Sequence, residues 1–167
     1  MTGCNRLTIV TALITIFCIS NNSPVIALQE DSRQPVYIHS DRAQRDNKKN
    51  ITVYESNVEL TQGGLKILAD KITVYDKNGS IGKIIATGQP AHYRQQPIDG
   101  KGDLIAKANS IEFEFEKEHI LLQGNASIYQ DGATITSEVI NYDIRSAVMK
   151  ATSDDRVRIV IPPNNNK

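Results

Sequence analysis

From Val36 onward, apolar residues recur at every second position in short runs. Examples are Val36/Ile38, Ile51/Val53, Val58/Leu60, Leu65/Ile67/Ala69, Ile72/Val74, Ile111/Phe113/Phe115, Ala126/Ile128, Ile140/Tyr142 and Val157/Ile159/Ile161. A period of two is that of a strand with one face buried, and no segment sustains the 3.6-residue period of a helix. Turn formers separate the runs: Asp46-Asn47, Gly63-Gly64, Asn78-Gly79, Gly88, Asp99-Gly100, Gly124-Asn125, Asp131-Gly132 and Ser153-Asp154. Asn78-Gly79 carries the strongest two-residue hairpin signal. The pattern predicts an all-β fold built from repeated short strands.

A shift of 68 positions superposes part of the chain on itself. Asn57, Val58, Leu60, Gln62, Gly64, Ile67, Ala69, Asp70 and Ile72 fall on Asn125, Ala126, Ile128, Gln130, Gly132, Ile135, Ser137, Glu138 and Ile140. Weaker similarity around Ala86-Thr87-Gly88 and Pro90 to Tyr93 suggests a unit of half that size. Repeats of this kind bury the apolar face that a neighbour leaves open, so the first and last must be capped or paired with something else.

The N-terminus breaks the pattern. Arg6 precedes an apolar run from Leu7 to Ile19, shorter than the roughly 20 residues a spanning helix needs, and Val25-Ile26-Ala27 offers a processing site. Residues 1–27 are expected to be a signal peptide. Cys4 and Cys18 leave with it, so the mature chain from Leu28 relies on packing rather than a disulfide. Residues 28–163 are expected to form one domain, with Pro162-Pro163 stopping the last strand and residues 164–167 a disordered tail. Lys and Arg number 19 against 19 Asp and Glu, interspersed, which disfavours nucleic acid as a partner.

Catalytic chemistry finds no candidate. His39, His92 and His119 are scattered without a second ligand at metal-binding spacing. The pairs Ser40-Asp41, Ala69-Asp70 and Ser137-Glu138 recur with the repeat, as a backbone bend would and an active site would not. No glycine cluster opens a helix to cradle phosphate. The expectation is a non-enzyme with neither metal nor cofactor.

Three stretches carry a family resemblance: QPVYIHSDRA (Gln34 to Ala43), NVELTQG (Asn57 to Gly63) and KILADKITVY (Lys66 to Tyr75). It continues through Gly88 to Tyr93 and LQGNASIYQ (Leu122 to Gln130). The chain resembles the LptA/OstA-like family of periplasmic lipopolysaccharide-transport proteins. The resemblance implies an antiparallel, twisted β-jellyroll open at both ends, in the periplasm. It also implies a carrier that binds the lipid A acyl chains of lipopolysaccharide and stacks head to tail with itself. Such a bridge would run from an LptC-type inner-membrane protein at the N-terminal edge to an LptD-type outer-membrane translocon at the C-terminal edge.

On this reading Val36, Ile38, Leu60, Ile67, Tyr93, Ile111, Phe113 and Phe115 line the acyl groove. Gln34, Val36, Ile38, Arg156, Arg158 and Ile159 form the partner edges. Tyr142 could present a polar tip at the mouth, while Lys66, Lys71, Lys83 and Arg94 are expected on the solvated surface. The alternative is a self-assembling structural module without cargo, distinguished by a filled interior; the frequent Val, Ile, Ala and Thr favour a roomier one.

Overall fold

The computed structural model describes residues 34–96 and 102–163; the expected signal peptide 1–27, the turn expected at Asp99-Gly100 and the tail 164–167 lie outside them. Ten strands follow one another: β1 (Tyr37–His39), β2 (Arg42–Asp46), β3 (Ile51–Gln62), β4 (Leu65–Lys77), β5 (Ser80–Gln95), β6 (Leu104–Glu114), β7 (His119–Gln130), β8 (Ala133–Asp143), β9 (Val148–Thr152) and β10 (Arg158–Val160). All pair antiparallel in one sheet of order β1-β3-β4-β5-β6-β7-β8-β10, with β2 also on β3 and β9 also on β8. The described residues are thus all-β.

The strands β3 to β8 run 11 to 16 residues. Each ladder from β3 to β8 shifts register near its middle: between Glu55 and Val58, Leu68 and Lys71, Thr87 and Ala91, Lys107 and Ser110, and Gln123 and Ala126. The shifts line up from strand to strand and fold the sheet into two leaves. One, the β2 leaf, runs from β2 to β9; the other, the β1 leaf, runs from β1 to β10. The short strands read from the sequence are therefore halves of bent long ones. Gly88 and Gly124-Asn125, expected as turns, sit inside β5 and β7 at this bend. Gly124 and Asn125 have φ of 75° and 49°, a left-handed step that kinks a strand without reversing it.

One distance proves the fold-over. Ile84 and Tyr93 lie nine residues apart on β5, about 30 Å if the strand were straight. Phe113 is the ladder partner of Ile84, yet its ring centroid is 5.9 Å from that of Tyr93, edge to face.

The 68-residue repeat is a repeat of bent hairpins. β3 and β7 begin, bulge and end at equivalent positions, and Asn57 and Asn125 both take left-handed φ, 52° and 49°. The hairpins close as expected at Asn78-Gly79 (φ 53° and 81°) and Asp131-Gly132 (φ 50° and 83°), the geometry that matches strand twist. The acid-bearing bends are architectural. Asn57 Nδ2 donates to Asp41 Oδ2 at 2.8 Å, and Ser137 Oγ donates to the Thr152 carbonyl at 2.7 Å.

Candidate functional site

The two leaves enclose a wedge-shaped interior whose side chains grow from the bend toward the mouth. At the bend, where the leaves converge, the buried residues are small: Ala91 faces Ala108 and Ala126 faces Ser137. The next layer is Ile and Leu. In the β2 leaf, Ile72, Ala86, Ile111, Leu122 and Ile140 are successive ladder partners, all fully buried. Nearer the mouth the row Val74, Ile84, Phe113, Ile120 and Tyr142 brings in the larger rings.

The β1 leaf holds the longest row. Ile38, Leu60, Ile67, Tyr93, Ala106, Ile128, Ile135 and Ile159 are consecutive ladder partners across all eight strands, so one apolar line runs from edge to edge. Leu60, Ile67, Tyr93, Ala106 and Ile128 are at most 2% exposed, Ile135 is partly buried, and Ile159, at the C-terminal end, is 57% exposed. The row stops there because, among the described residues, no strand follows β10.

Of the residues expected in the groove, Ile38, Leu60, Ile67 and Tyr93 thus share this row. Ile111, Phe113 and Phe115 face them from the β2 leaf; Phe113 and Phe115 lie 4.7 Å apart centroid to centroid. Val36 precedes β1 and packs half-buried against the core. Burial pushes the Tyr93 phenol far above its ordinary range, with Tyr142 and Glu118 adding to the effect. The interior is largely closed by its own side chains: the core residues from Val58 to Tyr142 are at most 8% exposed, and Tyr54, Ala69, Ile81 and Ile135 pack partly buried against them. The room expected from the abundance of Val, Ile, Ala and Thr is taken up because small residues gather at the bend, where the leaves converge, and large ones toward the mouth.

The edges differ in part from expectation. Gln34, Val36 and Arg156 lie outside the strands, and the Gln34 carbonyl accepts a hydrogen bond from Gln62 Nε2 at 3.0 Å. Arg158 is on β10, paired with Thr136. Each edge is double: β1 and β2 at one end, β9 and β10 at the other. Arg42 to Asp46 and Val148 to Thr152 escaped the sequence reading because RAQRD has one apolar residue and VMKAT, though it has three, places two of them side by side and is too short to show a period. Val157, Ile159 and Ile161 alternate as a buried strand would, yet all are exposed, since nothing covers this edge.

Cations on the outer face are paired across strands: Lys66 with Glu59 at 2.7 Å, Lys71 with Glu55 at 3.5 Å, Lys83 with Glu112 at 3.4 Å, and Arg94 Nε with Asp103 at 2.7 Å. His119 Nε2 lies 2.7 Å from Asn141 Oδ1. Among the described residues no three His, Cys, Asp or Glu side chains gather in a way that could hold a metal.

The comparisons with known proteins agree with this geometry. Residues 37–148 match the family model described as LptA/(LptD N-terminal domain) LPS transport protein. The lipopolysaccharide export system protein LptA of Escherichia coli K12 is 34% identical over 145 residues, 84% of this chain and 78% of that one. LptH of Pseudomonas aeruginosa is 32% identical over 131 residues, 78% of this chain and 75% of its own. The crystal structure of LptH, titled the LptA homologous periplasmic component of the conserved lipopolysaccharide transport device, superposes with a TM-score of 0.74 at 29% identity. It covers 80% of this chain and 99% of that one.

Proposed function

The chain belongs to the LptA/LptD N-terminal domain family of lipopolysaccharide transport proteins, and from that membership we propose that it carries lipopolysaccharide through the periplasm as one link of an end-to-end bridge. The observation that carries the reading is the unbroken apolar row from Ile38 to Ile159. Lipid A exposes acyl chains whose transfer to water costs about 0.8 kcal/mol per methylene, so a multi-chain lipid cannot diffuse freely. A row with an aliphatic or small residue on every strand but β5, where Tyr93 stands, offers sites of similar depth, and steps between similar sites are small in free energy.

The packed interior sets how loading works. Acyl chains part the leaves and take the place of side chain on side chain, with Tyr93 and Phe113 the ring contact that must give. The groove residues are then Ile38, Leu60, Ile67, Tyr93, Ile111, Phe113 and Phe115, with Val36 at its N-terminal rim. No step requires a reaction on this chain; the driving energy comes from elsewhere.

Both ends of the sheet offer unpaired backbone groups, which natural sheets usually hide. In a head-to-tail stack, β10 and β9 of one copy pair with β1 and β2 of the next, and Ile159 joins Ile38 to extend the row. The same edges receive an LptC-type protein at β1 and β2 and an LptD-type translocon at β9 and β10. Residues 1–27 direct export and are removed, leaving the domain 28–163.

Native mass spectrometry of the protein lacking residues 1–27, with and without lipopolysaccharide, tests this reading. A lipid-sized increment on monomers and on a concentration-dependent ladder supports the bridge. A ladder without increment favours a structural module whose interior stays filled, the reading that the low exposure of the inward side chains supports.

A further inference from the structure

The outer side of the bend carries a feature that lipid transport leaves unused. A cleft of about 690 Å³ is lined there by Asp70, Gln89, Lys107, Asn109, Asn125 and their neighbours. A second of about 360 Å³ adjoins it and shares Asp70 and Pro90, adding Asn57, Leu68 and His92. Together they form a groove crossing β3 to β7, perpendicular to the strands. Four strand intervals make it about 19 Å long.

Its lining differs from the paired cations along the two leaves. Elsewhere Lys66, Lys71, Lys83 and Arg94 each hold a cross-strand acid. In the 690 Å³ cleft the side chains of Asp70, Gln89, Lys107, Asn109 and Asn125 have no hydrogen-bond or ion-pair partner among the described residues. Three amides, a carboxylate and an ammonium therefore point into one groove with their donors and acceptors free. The lone Asp and Lys cancel, which disfavours a phosphate or other anion and suits an uncharged ligand rich in hydroxyls. Leu68, 40% exposed, and exposed Pro90 add an apolar floor against which the C–H face of a pyranose packs.

We propose that this groove binds an extended oligosaccharide laid along the bend, on the side of the sheet opposite the lipid-facing interior. The amide and carboxylate groups of Asn57, Asp70, Gln89, Asn109 and Asn125 fall on successive strands, so hydroxyls along a linear sugar chain meet one such group per strand. The sugar chain can come from two sources, the polysaccharide portion of lipopolysaccharide or a β-1,4-linked amino-sugar chain of the cell wall.

The test is a ¹H–¹⁵N NMR titration of the purified protein with two probes. One is a neutral, lipid-free fragment of the outer polysaccharide of lipopolysaccharide, the other chitotetraose. Shifts confined to amides around Asp70, Gln89, Lys107 and Asn125 with one probe support the proposal and identify the source. Lys107→Ala and Gln89→Ala, both exposed, should each weaken binding at least tenfold while the remaining spectrum superposes; Lys83→Ala, on the other leaf, should leave it unchanged. Absence of shifts with both probes at millimolar concentration, or equal binding by the parent and both groove variants, overturns it. Because neither probe carries acyl chains, a negative result here leaves the lipid reading to its own test.

Discussion

Replacing Phe113 with Ala separates what the ring does for the fold from what it does for loading. Phe113 is 7% exposed and touches Phe115 on its own leaf and Tyr93 on the other. Removing a buried phenyl ring costs about 3–5 kcal/mol, and its place toward the mouth puts the expectation near the lower limit, about 3 kcal/mol. Ring-on-ring geometry accounts for about 1 kcal/mol of that across the leaves. A double-mutant cycle with Tyr93→Leu, read by urea unfolding, should therefore return a coupling of about 1 kcal/mol. The same contact must break for an acyl chain to enter, so Phe113→Ala should load lipopolysaccharide about fivefold faster while being less stable, at about 1.4 kcal/mol per decade. A coupling below about 0.3 kcal/mol would mean that the rings do not hold the leaves together. Slower loading in proportion to lost stability would refute the parting of the leaves as the entry step.

Further outcomes follow from named contacts. Gly132→Ala should cost about 1–2 kcal/mol in chemical denaturation, because φ is +83° and the new Cβ would sit 3.0 Å from Pro162 Cγ. Ile159→Glu should leave monomer stability within about 0.5 kcal/mol, the side chain being mostly exposed, yet abolish the oligomer ladder in native mass spectrometry. At high pH, the raised Tyr93 phenol keeps its proton in the fold while the unfolded chain loses its own near pH 10. The stability it contributes is thus complete below pH 10 and declines as pH rises beyond it, visible as a falling urea midpoint that Tyr93→Phe flattens. Asp143 is held below the usual carboxylate range chiefly by the Ser146 N–H at 2.8 Å. Its contribution is therefore present above about pH 4 and lost as pH falls through the folded value; a carboxylate titrating at the free-peptide value by NMR would contradict that bond.

Much of the fold was legible because period-two alternation reports which face is buried at every position. Leu60, Ile67, Ile111, Phe113 and Ile140 were assigned inward from neighbours two residues away. The sequence could not distinguish a chain reversal from a bend, since both use Gly and Asn in left-handed conformation: Asn78-Gly79 reverses the chain and Gly124-Asn125 only kinks it. Nor could alternation place Tyr93 against Phe113, a contact that depends on five aligned register shifts rather than on any local pattern. The edge strands β2 and β9 were invisible because each is only five residues long, too short for alternation to show. The outer groove was invisible too, for Asp70 and Asn125 read singly as parts of a bend and a turn, Gln89 and Asn109 carried no signal, and the four converge only when the bends stack.

The most direct test of the central claim asks which face meets lipid. A benzophenone amino acid placed at Phe115 or Ile38 on the inward face, and at Tyr75 or Tyr129 on the outward face, is irradiated with lipopolysaccharide present. The account predicts lipid adducts from Phe115 and Ile38 and none from Tyr75 or Tyr129. Adducts from the outward positions, or none from the inward ones in protein shown by native mass spectrometry to hold lipid, would contradict it.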